Sequence, residues 1–165
     1  MIAISRLFAA GVGTLALLGA GSAPALANDG GSLIQFDSMM GVTADQTKVA
    51  NDRGINGGGL PWVISEGTGE VGRDGSIEVR VRGLVIPSLG NINPVKTFGV
   101  TVSCLTHGGV VNVTTGQFPA SRSGDSDIEA QVQLPMDCQS PEVFMVSPNG
   151  AWFAKANSGD QEGDR

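Results

Sequence analysis

Apolar residues recur at every second position along much of this chain, and that spacing constrains the fold more than any other feature. Ile77, Val79 and Val81 alternate with Glu78, Arg80 and Arg82; Ile128, Ala130, Val132 and Leu134 alternate with Glu129, Gln131 and Gln133. Successive side chains of an extended strand point to opposite faces, so alternation predicts strands with one buried and one wet face. Further strands are expected at Ser32 to Met39, Trp62 to Val71, Lys96 to Leu105, Val110 to Thr115, Glu142 to Ser147 and Ala151 to Ala156. Turn residues punctuate them: Arg73-Asp74-Gly75, His107-Gly108-Gly109, Gly124-Asp125-Ser126 and Pro148-Asn149-Gly150. The one helix-like signal, the capping box Thr43-Ala-Asp-Gln46, lacks a sustained apolar face and predicts a single short turn. About eight short strands with no crossover helices predict an all-β fold. The expected form is an antiparallel two-sheet β-sandwich, immunoglobulin-like in broad architecture.

The first hairpin has a definite expected register. A three-residue loop with Gly75 in the left-handed region sets Val71 opposite Ile77 and Glu66 opposite Arg82, whereas a two-residue Asp-Gly loop sets Glu70 against Val79. Apolar on apolar and opposite charges together favour the longer loop.

The two ends of the chain read differently from the middle. One cation, Arg6, precedes an uncharged apolar stretch from Leu7 to Leu18, and Ser22-Ala-Pro-Ala-Leu-Ala27 places small residues before a cleavage point. Residues 1–27 therefore read as a secretory signal peptide, too short in its apolar part to span a bilayer. A flexible N-terminus (28–31), a β-sandwich domain (32–156) and a disordered acidic tail (157–165, without one apolar residue) are expected to follow. Loss of residues 1–27 removes one basic group and leaves nine basic against sixteen acidic side chains. Without a dense Lys/Arg cluster there is no footprint for nucleic acid, and no later apolar run gives stable membrane insertion after cleavage. The expected location is secreted or extracytoplasmic, with an extracellular or cell-envelope partner.

Outside the cytosol two cysteines are expected to be joined. Cys104 lies on the apolar side of Phe98, Val100 and Val102, and Cys138 follows Pro135; closing that loop of about 35 residues removes chain entropy worth roughly 4 kcal/mol. The alternative, a nucleophilic thiolate, needs a base, and the sole histidine, His107, sits on a Gly-flanked turn.

Other chemistry is sparse. One His and two paired Cys make no zinc site, so no metal and no cofactor are expected; the phosphate-loop and nucleophile-elbow patterns are absent. Asp125, Asp127 and Glu129 offer hard oxygens to calcium, but two of them fit the solvated face of a strand. The candidate binding loop is Asn51, Asp52, Arg53, Gly57, Gly58 and Gly59, because successive glycines can turn amides toward an anion. The competing reading is a long connection whose glycines allow an unusual backbone path before Trp62 enters the core. Trp62 and Trp152 both fall in apolar runs and are expected to pack in the core rather than serve as sugar platforms.

Several segments together resemble a family of small exported proteins from actinobacteria and related bacteria: Gly59-Leu-Pro-Trp-Val63, Val81-Arg-Gly-Leu-Val85, Asn93-Pro-Val-Lys-Thr-Phe98, Val102-Ser-Cys-Leu105, Val111-Asn-Val-Thr-Thr115, Phe118-Pro-Ala120, Gly124-Asp-Ser-Asp-Ile-Glu-Ala130, Leu134-Pro-Met-Asp-Cys138 and Val146-Ser-Pro-Asn-Gly-Ala-Trp-Phe-Ala154. The resemblance implies export and paired cysteines, and no mechanism. A short Ser88 to Ile92 linker and the compact His107-Gly-Gly turn depart from it. The functional expectation is a noncatalytic exported binding or envelope-associated module. Two alternatives stand beside it: a hydrolase with a carboxylate-based site in the loops, and a structural subunit that associates through a sheet edge.

Overall fold

The computed structural model describes residues 31–157. The signal-peptide reading of residues 1–27, residues 28–30 and the tail beyond Asn157 lie outside the described residues. Ten strands build two antiparallel sheets packed face to face. The first contains β1 (Ser32–Phe36), β3 (Glu66–Gly72), β4 (Ser76–Arg82) and β8 (Ser126–Gln131), in the order β1-β3-β4-β8. The second contains β2 (Met39–Gly41), β5 (Thr97–Thr106), β6 (Gly109–Thr114), β7 (Phe118–Pro119), β9 (Gln139–Val146) and β10 (Trp152–Ala156). Its order is β2-β10-β9-β5-β6, and β7 pairs with the first residues of β5. The all-β sandwich is therefore as expected. The count rises from about eight to ten because the run Ser32 to Met39 breaks at Asp37-Ser38, where the chain leaves one sheet for the other, and because β7 is too short for periodicity to reveal.

The alternating residues fill the space between the sheets. Val71, Ile77, Val79, Val81 and Ile128 face Phe98, Val100, Val102 and Met145, all buried. Trp62 stacks on Phe153 at 4.2 Å and meets Phe98 edge-on at 6.4 Å, so its place is the core. The β3–β4 hairpin has the expected register, Val71 to Ile77 and Glu66 to Arg82, with Gly75 at φ +87°. Thr43 to Gln46 forms the expected short turn, in which Thr43 donates its N–H to Gln46 Oε1 at 3.0 Å.

Three boundaries move. Trp62 to Ser65 do not extend β3, because Val63 exchanges two 2.9 Å backbone hydrogen bonds with Val85 instead. Strand β8 stops at Gln131, where Val132 donates its N–H to the Gly75 carbonyl at 2.9 Å. The domain's outer limits are also firmer than expected: Gly31 accepts a hydrogen bond from Arg73, and Asn157 donates one to the Ser38 carbonyl. On β5 the alternation reading fails, since Gly99, Thr101 and Ser103 are as buried as the apolar residues between them. The reason is tertiary: β5 lies between β9 and β6, and residues 42–62 cross the outer face of this sheet as a strap.

Cys104 and Cys138 are joined. The bond ties β5 to the start of β9, where the register shifts between Ser103 and Leu105, and it removes the thiolate reading.

Candidate functional site

The strap is shaped by its own short-range chemistry. Asn51 is its hub: its Oδ1 accepts the N–H groups of Arg53 and Ile55, both at 2.9 Å, and its N–H reaches the Ile55 carbonyl at 3.0 Å. This tight turn, closed by Gly54 at φ +73°, aims Arg53 and Ile55 down onto the sheet, where both are buried. Of the six candidate loop residues, Asp52 and Gly59 are exposed and Arg53, Gly57 and Gly58 are buried. Gly57 and Gly58 do not present their amides to an anion. Gly57 donates its N–H to Val49 and Gly58 to Trp152, and a Cβ on Gly57 would stand 2.1 Å from the Gln46 carbonyl oxygen. Their role is close approach, so the unusual-path reading describes Gly57 and Gly58.

Beneath the strap lies a cluster of charged and polar groups. Arg53, 6 % exposed, donates from Nη2 to the Ser140 carbonyl at 2.8 Å and stands 3.4 Å from Glu142 Oε1. The same Glu142 oxygen takes Lys155 Nζ at 2.8 Å, so two cations share one half-enclosed carboxylate. Ser140, which supplies the carbonyl, holds φ +43°, a strained conformation for a residue with a Cβ. Asn112 on β6 donates from Nδ2 to the Arg53 carbonyl at 2.9 Å, so Arg53 is held by β9 through its side chain and by β6 through its backbone.

Five buried side-chain atoms have no hydrogen-bond partner among the described residues: Asn51 Nδ2, Arg53 Nη1, Ser103 Oγ, Glu142 Oε2 and Trp152 Nε1. All five belong to the strap or to the strands it crosses. Each such atom costs roughly 1–3 kcal/mol if left dry, and a chain of this size is stable by only about 5–15 kcal/mol. Buried polar atoms of this kind are ordinarily met by ordered water, so the seam is the most polar part of the interior. Alongside it runs an open cleft of roughly 380 Å³ lined by Asn56, Thr101, Asn112, Thr114, Asn149 and Gly150. The lining has no ionisable side chain. Thr101 and Thr114 share a hydrogen bond at 2.7 Å, and Asn149 Oδ1 accepts from Ser147. The Asn56 amide, the Asn149 amide nitrogen and the Asn112 amide oxygen are left for a ligand.

The other candidates are weaker. On the outer face of the first sheet, Glu70, Glu78 and Glu129 stand directly opposite one another across three strands, at a shallow concavity of roughly 400 Å³. All three are exposed, and none occupies the apolar, water-poor pocket that a general acid needs. Two of the three carboxylates weighed for calcium are engaged elsewhere. Asp125 accepts from Gly83 N–H at 2.9 Å and Ser123 Oγ at 2.7 Å, while Asp127 pairs with Arg82 and Arg80. No group of three metal-ligating side chains occurs among the described residues. His107 Nδ1 lies 3.0 Å from Asp137 Oδ2. The side-chain and backbone bonds from His107 hold the Asp137 carboxyl below the usual carboxylate range, but the pair is exposed and lacks a nucleophile.

Of the residues that meet at this seam, the sequence singled out Asn51 and Arg53; Ser103, Asn112, Ser140, Glu142 and Lys155 were not among its candidates. Arg53 does carry a signal, as a lone long cation between Asn51 and three glycines. Glu142 and Ser103 carry none. The fold and this seam define an all-β sandwich with a strapped outer face. Compared with models of known protein families, with curated proteins and with solved structures, the chain matches none.

Proposed function

We propose that the chain is an exported, noncatalytic binding module, and that its ligand sits in the cleft beside the strap. The observation that carries this reading is the chemistry of the cleft: three asparagines and two threonines, no ionisable group, next to a seam of unpartnered polar atoms. A charged ligand finds no counter-ion there, and an apolar one strands the amides. An uncharged, hydroxyl-rich ligand such as a glycan both donates and accepts, as amides do. No aromatic ring lines the cleft, so binding rests on hydrogen bonds and dissociation constants are expected to be about millimolar. The signal-like residues 1–27 and the disulfide support export. Among the described residues no helix is long and apolar enough to cross a membrane.

The test is an NMR titration of the mature chain with neutral oligosaccharides and solubilised cell-wall glycan. Amide shifts at Asn56, Asn112, Thr114 and Gly150, lost in Asn112→Ala, are expected. Unmoved amides in the cleft across all ligands would remove the reading. Ligand cleavage abolished by Glu78→Gln would replace it with the carboxylate hydrolase.

A further inference from the structure

The two sheets have four lateral edges, and three of them are blunted. Strand β8 alternates Asp127 and Glu129 along its edge. Strand β1 has a register break between Ser32 and Ile34. Strand β2 is three residues long and is backed by the strap, where Trp62 donates its N–H to the Val42 carbonyl at 2.9 Å. Such devices stop sheets from recruiting further strands. Strand β6 has none: Gly-Val-Val-Asn-Val-Thr contains no charge and no proline, and pairs with β5 in unbroken register from Thr101–Thr114 to Thr106–Gly109. Alternate residues of such a strand turn their N–H and C=O groups outward without a partner.

The same end of the molecule gathers exposed apolar side chains. Leu105, Val110 and Val111 lie on the β5–β6 hairpin. Met136, fully exposed, is held beside it by the Cys104–Cys138 bond and the His107–Asp137 pair. Charge selects the occupant. A chain with sixteen acidic and ten basic groups repels its own copies wherever acidic faces meet, yet neither β5 nor β6 contains an ionisable side chain.

We propose that β6 is where the protein pairs with a second copy of itself, two β6 strands running antiparallel across a two-fold axis. The contact is isologous and closes at a dimer, and it joins the two five-strand arrays into one continuous sheet. The two-fold stands perpendicular to that sheet, so both clefts open on the same side. The pairing goes beyond the proposed binding role and holds whatever the clefts take.

Light scattering of the mature chain across a concentration series, with hydrogen exchange at both ends of the series, tests it. A dimer is expected, with β6 amides gaining protection as concentration rises. Val110→Lys, at a half-exposed outward position, should raise the dimer Kd about tenfold or more with circular dichroism unchanged. Glu129→Lys on the β8 edge should leave the Kd where it was. A monomer at every concentration overturns the proposal, as does a dimer whose β6 exchange ignores concentration or whose Kd is indifferent to Val110→Lys. Should Val110→Lys unfold the chain, the concentration dependence of β6 exchange in the unmodified protein decides alone.

Discussion

Two glycines with nearly the same backbone torsion separate strain from collision. Gly75 at φ +87° and Gly150 at φ +84° both occupy left-handed space, but a Cβ at 75 would stand 1.9 Å from the Val132 carbonyl oxygen while one at 150 meets nothing within 4 Å. Gly150→Ala is expected to cost about 1 kcal/mol by strain alone. Gly75→Ala should cost clearly more, and Gly75→Val more again. Equal denaturation midpoints for the two alanine variants would contradict the close approach. The buried Arg53 invites a second comparison. Arg53→Met leaves the Ser140 carbonyl and part of Glu142 unpaired and should cost about 2 kcal/mol or more, whereas Arg53→Met with Glu142→Leu should recover much of that loss. Additive losses in a double-mutant cycle would show that the two residues do not act together. The torsion of Gly75 was legible because hairpin geometry is local. The burial of Arg53 was not, because nothing near it in the chain announces that β9 lies beneath.

At the scale of elements, the hairpin register illustrates both the reach of sequence and its limit. Matching Val71 to Ile77 and Glu66 to Arg82 selected the right loop, and the same register sets Glu70 against Glu78, with Glu129 beyond on β8. Local pairing could not foresee that third carboxylate, since β8 arrives from elsewhere in the chain. Like charges directly opposite destabilise a sheet. Glu78→Lys, between two glutamates, is therefore expected to stabilise by about 0.5 kcal/mol or less, with the gain shrinking as salt rises; a salt-independent gain would point to packing instead. The turn before β8 makes a matching forecast for acid. The Ser123 hydroxyl and the Gly83 N–H hold the Asp125 carboxyl below its usual 3.8. A group depressed in the folded state lends stability that is complete above its unfolded pKa and lost as pH falls through the folded value. Unfolding curves from pH ~5 downward should show stability declining below about pH 4, less steeply in Asp125→Asn. An identical slope in the variant would free Asp125 of that role.

For the molecule as a whole, sequence made the two-sheet plan and the covalent link legible, because alternation, turns and cysteine use are each short-range or compositional. It did not reveal the strap's seam, the cleft or the His107–Asp137 pair. The last of these follows from the disulfide, since Asp137 precedes Cys138 and His107 lies three residues past Cys104. Thiol labelling of the denatured, unreduced chain should find none, and reduction should lower stability by roughly 2–4 kcal/mol; two labelled thiols per chain would contradict the bond. The position of β10 has a consequence in time. The last strand among the described residues lies inside its sheet, with β2 on one side and β9 on the other. Until residues 152–156 arrive, Met39 to Gly41 have no neighbour to zip against, and the Trp62–Phe153 stack is missing half. A polypeptide emerging amino end first can complete the first sheet and still must wait, with a gap in the second, for its final strand to slide home. Assembly of the sandwich is thus keyed to the emergence of β10, and a chain stalled just short of it is expected to stay soft and open to proteases.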